Sequence, residues 1–364
     1  MSKKHDVNRR EFVKSGVAAT SALTAFQILS SKEARAQKPL NIAVVGCGGR
    51  GRGAMKNALQ ASEGIHVVAL CDIFKGKFDL AKNELTKMGH PTDKIETFLG
   101  FKAYKDLMKM DGIDYVILAT PPCYRPETLE AAIEAKKHVF MEKPAAVDAP
   151  GIRRIIEAGE KAKKAGLSIV AGTQRRHQTS YQETIQRIHD GAIGDLVNGQ
   201  VFWCGGPIGY PDRAQGMTEI EYQIRGWYHW MWLSGDHILE QHVHNIDVMN
   251  WVVGAHPVKA FGVGGRSWTE KGNIWDHHAV HFEFANGLNT LSMCSQYPRE
   301  TQRVEERFQG TQGHAYLQSS DNCYIVSNGD KWRYQGRCHP YVKEHADLIE
   351  SIRAGKPLNE ARNV

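Results

Sequence analysis

The chain predicts an α/β protein, with a doubly wound parallel sheet in its first half and a second α/β domain after it. Three observations carry this reading. Between Lys38 and about Thr173, short β-branched-rich apolar runs alternate with amphipathic stretches. The first of those runs ends in a glycine-rich turn, and the later half holds further strand-like runs separated by Gly and Asn. At 364 residues the chain has room for two domains of ordinary size.

The apolar runs are "LNIAVVG", "IHVVALCD", "DYVILAT", "KHVFMEK" and "LSIVAGT". Between them lie stretches such as "RPETLEAAIEAKK" and "APGIRRIIEAGEKAKKAG". Continuous apolar strands spaced by helices indicate a parallel sheet covered on both faces. The first strand runs into "VVGCGGRGRGAM", which contains Gly46-x-Gly48-x-x-Gly51. This pattern follows a strand, opens a helix and precedes a second strand ending in Asp72, the context that a dinucleotide fingerprint requires. Gly46 permits the tight turn, Gly48 lets backbone approach a pyrophosphate, and Gly51 allows close helix–strand packing. The pyrophosphate would sit on the helix N-terminus, near Arg50. Asp72 can accept from a ribose 2′-hydroxyl and repels a 2′-phosphate, which favours NAD; Lys75 and Lys77 keep NADP as the alternative. Two other strand ends face the same crevice: "ATPP", with Thr120 and Pro121, and "MEKP", with Glu142 and Lys143. From spacing alone, Lys143 reads equally as a cleft lysine or a surface lysine capping a loop.

The composition is that of a globular protein, 41% hydrophobic and 24% charged, with a net charge of +6. Residues 1–36 hold seven Lys and Arg against three Asp and Glu, so four of the six positive charges are local to them. Non-specific nucleic-acid binding has no compositional support. "NRREFVK" places Arg9 and Arg10 before the mildly apolar "SGVAATSALTAFQIL", and "ARA" at Ala34–Ala36 supplies small residues for cleavage. That order describes a twin-arginine export signal over 1–36, cleaved near Ala36, with a periplasmic or otherwise extracytoplasmic product and no stable membrane insertion. The alternative is an ordinary amphipathic N-terminal helix. The expected domains are then 37–160 for nucleotide binding and 161–364 for substrate. The seven cysteines show no CxxC pair, and an odd count implies no disulfide framework.

"SGDHILEQHVHNIDVMNW" (Ser234 to Trp251) carries the densest titratable chemistry. On one helix over Ile238 to Val253, His237, Glu240, Gln241, His244 and Asp247 share a stripe while apolar residues cover most of the rest. Three metal ligands at His237, Glu240 and His244 would spread over about 10 Å of axis, too far for tetrahedral bonds, so no metal is expected. Acid/base work needs only Glu240 and His244, one turn apart, with the carboxylate orienting the imidazole. His244 as a satisfied core histidine is the plainer alternative, and His237 and His242 read as substrate contacts or packing. "GTQRRHQTSY" puts Arg175, Arg176, His177 and Tyr181 after a strand end, as donors to a polyol or as a domain-boundary salt-bridge patch. "RGWYHWMW" and "NIWDHH" are further candidates for the cleft.

The ordered set "VVGCGGRGRG", "ALCD", "ATPP", "AKKHVFMEKP" and "SGDHILEQHVHNIDVMNW" resembles the glucose–fructose oxidoreductase/inositol dehydrogenase (Gfo/Idh/MocA) family, over nearly everything from Pro39 onward. The resemblance implies a Rossmann domain followed by an α/β domain with an open, mostly antiparallel sheet. It also implies that Lys143 of the EKP motif acts with Glu240 and His244 on the proton of a sugar or cyclitol hydroxyl while hydride passes to the nicotinamide. It further implies a homo-oligomer formed through the open sheet face. Glu240 stands where Asp is usual, Arg125 where many members carry histidine, and the chain stops at "GKPLNEARNV" where relatives continue into further helix.

Two other functions remain open. Some relatives are NAD-dependent exo-glycosidases that oxidise, eliminate, hydrate and reduce; Tyr181, His177 or His237 could supply the extra base on a glycoside. A catalytically inactive nucleotide-binding sensor or scaffold is the non-enzymatic reading. Export, where free NAD is scarce, favours a tightly bound cofactor.

Overall fold

The computed structural model describes residues 38–268 and 271–363. The expected export signal lies outside the described residues. Along the first half run β1 (Leu40–Val45), α1 (Gly49–Ala61), β2 (Ile65–Asp72), α2 (Gly76–Lys87), β3 (Glu96–Leu99) and α3 (Tyr104–Lys109). They are followed by β4 (Tyr115–Leu118), α4 (Arg125–Glu134), β5 (His138–Met141), α5 (Ala149–Lys164) and β6 (Ile169–Ala171). The strands form one six-stranded sheet in the order β3-β2-β1-β4-β5-β6, every pair parallel. This is the doubly wound arrangement, with its switch point between β1 and β4.

Period-two alternation explains why these strands read as unbroken apolar runs. Val116, Leu118, Val139 and Met141 face one buried cluster, while Tyr115, Ile117, Phe140 and Val170 face another on the opposite side. Helix α5 shows how local sequence sets the boundaries. The Asp148 carboxylate accepts from Gly151 N at 2.7 Å, Pro150 sits in the first turn, and Lys161, Lys163 and Lys164 complement the C-terminal end of the dipole.

The second half contains α6 (Thr179–His189), β7 (Leu196–Gly205), α7 (Glu219–Arg225), α8 (Met231–Ser234), α9 (His237–Glu240) and α10 (Val243–Val253). Then come β8 (Pro257–Gly265), β9 (His277–Phe284), β10 (Asn289–Gln296), β11 (Arg303–Gly310), β12 (Gly313–Leu317), β13 (Tyr324–Ser327), β14 (Asp330–Arg333) and α11 (Pro340–Ala354). Eight strands pair in the order β14-β13-β12-β11-β7-β10-β9-β8. All neighbours are antiparallel except β7 and β10, which are parallel. Helices α6 and α10 cover one face, burying Tyr181, Ile185, Val248 and Met249 against Val201 and Phe308. The other face is open: Phe261, Val263, Leu291 and Met293 are exposed, and Leu291 sits beside His281, which sits beside Phe261.

Residue 160, the expected boundary, lies within a helix. Helix α5 continues to Lys164, and β6 completes the nucleotide sheet only at Ala171. Within the 161–364 segment, α11 returns to pack on the first domain. Leu348 and Ile349 join the cluster of Ile42, Val44 and Met55, Ile169 N donates to Leu358 O at 2.9 Å, and Glu360 N donates to Ile169 O at 3.0 Å.

The expected single helix over 238–253 is also broken, into α9 and α10. In an unbroken helix the Glu240 carbonyl would accept from His244 N. It accepts from Lys143 Nζ instead. The chain enters α9 through two residues in left-handed backbone, Gly235 (φ 78°) and Asp236 (φ 81°), and the Asp236 carboxylate takes His237 N at 2.6 Å.

Between the second sheet and its helices lies a buried polar knot. Glu306 on β11 is fully buried and receives Arg175 Nη1, Asn245 Nδ2 at 2.6 Å and Tyr181 OH at 2.9 Å. Removing one member strands the others' charges or donors. Glu306→Gln should therefore cost about 3–5 kcal/mol, measured as a lowered urea midpoint at unchanged slope. The paired replacement Arg175→Met with Glu306→Leu should cost less than the single change.

Candidate active site

The glycine turn after β1 is shaped by exclusion. At Gly46 (φ 94°) a Cβ would stand 2.6 Å from the Ala119 carbonyl, and at Gly51 it would stand 1.8 Å from Gly46 O. Both positions need glycine for the fold itself. Gly48 differs, because a Cβ there meets no protein atom within 4 Å. It precedes the thirteen-residue α1, whose first turn has neither a side-chain cap nor an acidic residue, so its N–H groups are free for an anion. Asp72 braces the turn: its carboxylate accepts from Cys47 N at 2.7 Å and Phe74 N at 2.9 Å.

A cavity of about 320 Å³ opens here, lined by Gly46, Gly48, Gly49, Asp72, Thr120 and Pro121 among others. The Thr120 hydroxyl is buried and without a partner. Free helix N–H groups, an open glycine, a carboxylate at the second strand's end and an unmet hydroxyl together fit a dinucleotide. Lys77 also lines the cavity, beside the Asp72 that favours NAD. Arg50 and Glu142, both expected at the cofactor, give their charges first to each other: Arg50 Nε lies 2.6 Å from Glu142 Oε1, with the guanidinium over Tyr341.

Past the end of β5, Lys143 crosses to α9. Its Nζ lies 2.8 Å from Glu240 Oε1 and also meets the Glu240 carbonyl. Both side chains are nearly buried, and Glu240 Oε2 has no partner. Burial raises the Glu240 pKa and Lys143 draws it back. The pairing expected between Glu240 and His244 is therefore replaced by one between Glu240 and Lys143. His244 is buried, stacks on Trp203 at 5.8 Å, and has an unpartnered Nδ1. Burial, with Lys143 and Arg175 adding to it, pushes its pKa well below the usual value, so the imidazole is neutral.

The other expected substrate groups have internal partners. Arg175 and Tyr181 belong to the Glu306 knot, which takes them out of solvent. Arg176 forms a two-pronged ion pair with Asp247, its Nη2 2.6 Å from Oδ1 and its Nε 3.0 Å from Oδ2. His177 Nδ1 is 2.7 Å from Asp347 on α11, with Glu360 at its other nitrogen, and these acids raise its pKa to about 10 against burial. The domain-boundary reading of this segment is the one the geometry supports. His237 Nδ1 lies 2.9 Å from Tyr228 OH, its Nε2 is unpartnered, and burial pushes its pKa down to about 4. His242 Nε2 meets Ser292 Oγ at 2.7 Å.

Sequence reasoning missed Arg125 as a structural part. Buried, it donates to Thr120 O at 2.6 Å and to Pro144 O, tying the loops after β4 and β5 together. Its position between two strand-end motifs was the available signal. In "NIWDHH", Asp276 is buried and takes the amides of Ser267 and Trp268, so that stretch braces a loop. No group of His, Cys, Asp and Glu able to hold a metal exists among the described residues.

Fold and cradle together define a two-domain dinucleotide-binding protein. A family model described as "Oxidoreductase family, NAD-binding Rossmann fold" matches residues 40–170, and the GFO/IDH/MocA C-terminal domain matches 181–316. The chain belongs to the Gfo/Idh/MocA oxidoreductase family. It is 24% identical over 242 residues to a glycosyl hydrolase family 109 protein of Shewanella baltica, covering 61% of this chain and 50% of the relative. It is 28% identical over 216 residues to inositol 2-dehydrogenase of Salmonella paratyphi B, covering 59% of this chain and 54% of the relative. The chain thus spans about half the length of these curated relatives. Among solved structures, myo-inositol 2-dehydrogenase from Lactobacillus plantarum superposes with a TM-score of 0.68 at 20% identity, covering 88% of this chain and 91% of that one. A 3-ketoreductase from Actinomadura kijaniata, in complex with NADP, gives 0.69 at 16% identity, covering 90% and 94%.

The contrast between two glycines tests the cradle. Gly48→Ala should keep the fold within about 1 kcal/mol while weakening NAD binding about tenfold or more, read by calorimetry. Gly51→Ala should instead fail in thermal unfolding, since its Cβ has no room.

Proposed function

We propose that the protein is an NAD(P)-dependent oxidoreductase that moves hydride between a ring hydroxyl of a sugar or cyclitol and a tightly bound nicotinamide dinucleotide. The observation that carries this is Lys143: it stands past β5, beside the dinucleotide cradle, and is held on α9 next to neutral His244. The dinucleotide, when bound, supplies the hydride acceptor. An ammonium has three donors; two go to Glu240, leaving one for the substrate oxygen. That remaining N–H stabilises the alkoxide as it forms. His244, already neutral, accepts the hydroxyl proton without first losing one of its own.

Arg9 and Arg10 support export, with work in the periplasm or another extracytoplasmic space. Among the described residues no helix is long and apolar enough to cross a membrane. The exposed Phe261, Val263, Leu291 and Met293 support a homo-oligomer closed over the open sheet face. A second reading, a redox-neutral glycosidase using the same cofactor, is favoured by the glycosyl hydrolase family 109 relatives.

The first test is to denature protein purified without added nucleotide and identify any dinucleotide released. Stoichiometric NAD(H) or NADP(H) is expected. Sugars and cyclitols should then reduce the bound cofactor; aryl-glycoside cleavage with no net reduction would select the second reading. A further expectation concerns pH. His244→Ala should lower kcat about 10²–10⁴-fold with dinucleotide still bound. In the unmodified protein, the acid limb of kcat/KM should fall well below pH 6.5, because a base with a lowered pKa is protonated only at lower pH. An inflection at 6.5 would assign the base elsewhere.

A further inference from the structure

The stretch "RGWYHWMW" belongs to the second domain, yet its first residues line the dinucleotide cavity. Ile224, Arg225 and Trp227 stand in the same wall as Gly48, Asp72 and Thr120. The second domain therefore closes part of a site whose floor belongs to the first.

Helix α7, which ends at Arg225, is fixed by contacts of its own. Thr218 Oγ1 accepts from Glu221 N at 3.4 Å while Glu221 Oε2 accepts from Thr218 N at 2.9 Å, a reciprocal cap. Gln223 Oε1 accepts from Trp232 Nε1 at 2.8 Å. Trp232 in turn meets Tyr124 edge to face, with ring centroids 6.5 Å apart. Tyr124 lies in the loop after β4, and the glycine turn abuts the start of that loop at Ala119. The end of α7 is thereby set beside the switch point between β1 and β4, where the pyrophosphate of a bound dinucleotide lies.

Charge balance singles out one residue. A pyrophosphate is negative at both phosphates, and the N-terminus of α1 answers with about half a positive charge. The arginines of α1 are already engaged. Arg50 is held by Glu142, and Arg52 places Nε 2.8 Å from Glu84 Oε1 and Nη1 3.1 Å from Cys47 O. Two cations line the cavity, Lys77 and Arg225. Lys77 sits in the first turn of α2, shortly after the strand that ends in Asp72, which places it toward the adenosine ribose. Arg225 is exposed and has no ion pair or hydrogen bond among the described residues. Glu127 lines the same cavity without pairing with it. A guanidinium offers paired donors that match phosphate oxygens.

We propose that Arg225 binds the pyrophosphate of the dinucleotide from the second domain, opposite the α1 cradle, and so forms a two-domain clasp that slows cofactor release. The proposal rests on this cavity holding the nicotinamide dinucleotide, and it gives tight retention a cause outside the Rossmann sheet.

Release is the direct readout: NADH-loaded protein is chased with excess NAD while the nicotinamide fluorescence is followed. Arg225→Ala should release NADH about tenfold or more faster than the parent protein, and Arg225→Lys should fall between them. Calorimetry on nucleotide-free protein locates the contact. Arg225→Ala should weaken ADP about as much as NAD and leave adenosine, which has no phosphate, unchanged. NAD and NADP should lose equally, because they share the pyrophosphate. Release and ADP affinity equal to those of the parent overturn the clasp. A loss confined to NADP, or one shared by adenosine, overturns the assignment to the pyrophosphate. A parent protein that binds neither NAD nor NADP overturns the dinucleotide reading and the clasp together, a result distinct from parent binding that ignores Arg225.

Discussion

The contact between Lys143 and Glu240 organises the centre of this molecule. A lysine at the end of a parallel strand is carried by the nucleotide-binding sheet, and a glutamate on a one-turn helix is carried by the second domain. Both are largely removed from water, so neither charge is tolerable without the other. The lysine takes the glutamate's carbonyl as well as its carboxylate, at the point where the short helix stops. One ion pair therefore joins the domains and leaves a single lysine donor uncommitted.

Around that centre the buried charges are sorted by task. Arg175 with Glu306, Arg176 with Asp247, and His177 with Asp347 and Glu360 hold the seam between the domains. They leave the candidate site with neutral imidazoles at His237 and His244, whose pKa values burial has lowered. Lys143 is the cation in direct contact with Glu240 and acts on His244 together with Arg175, which suits a site where negative charge develops if hydride leaves a hydroxyl.

The fold class was legible because its signals are local. Strands buried on both faces leave continuous apolar runs, and the glycine turn announces itself through residues that no side chain could replace at Gly46 and Gly51. What was not legible depends on partners remote in sequence. The break after Glu240 coincides with a contact from a lysine 97 positions away, with no Gly or Pro between Glu240 and Val253 to mark it. On β11, "RVEERFQG" reads as a charged surface run, yet Glu306 faces inward, where Arg175, 131 positions earlier, meets it. The same remoteness explains why Arg175, Arg176 and His177 read as well for substrate donors as for a seam.

The return of α11 to the first domain bears on how the chain is made. Leu348 and Ile349 cover apolar residues of β1 and α1, yet they emerge from the ribosome only after the entire second sheet. The nucleotide-binding half cannot finish packing as it is synthesised, although domains commonly fold one after another during translation. Its Ile42, Val44 and Met55 face stays without its cover until the late helix arrives. Completion of that face thereby waits on synthesis of the second sheet, and the interval before it is when chaperones have most to hold.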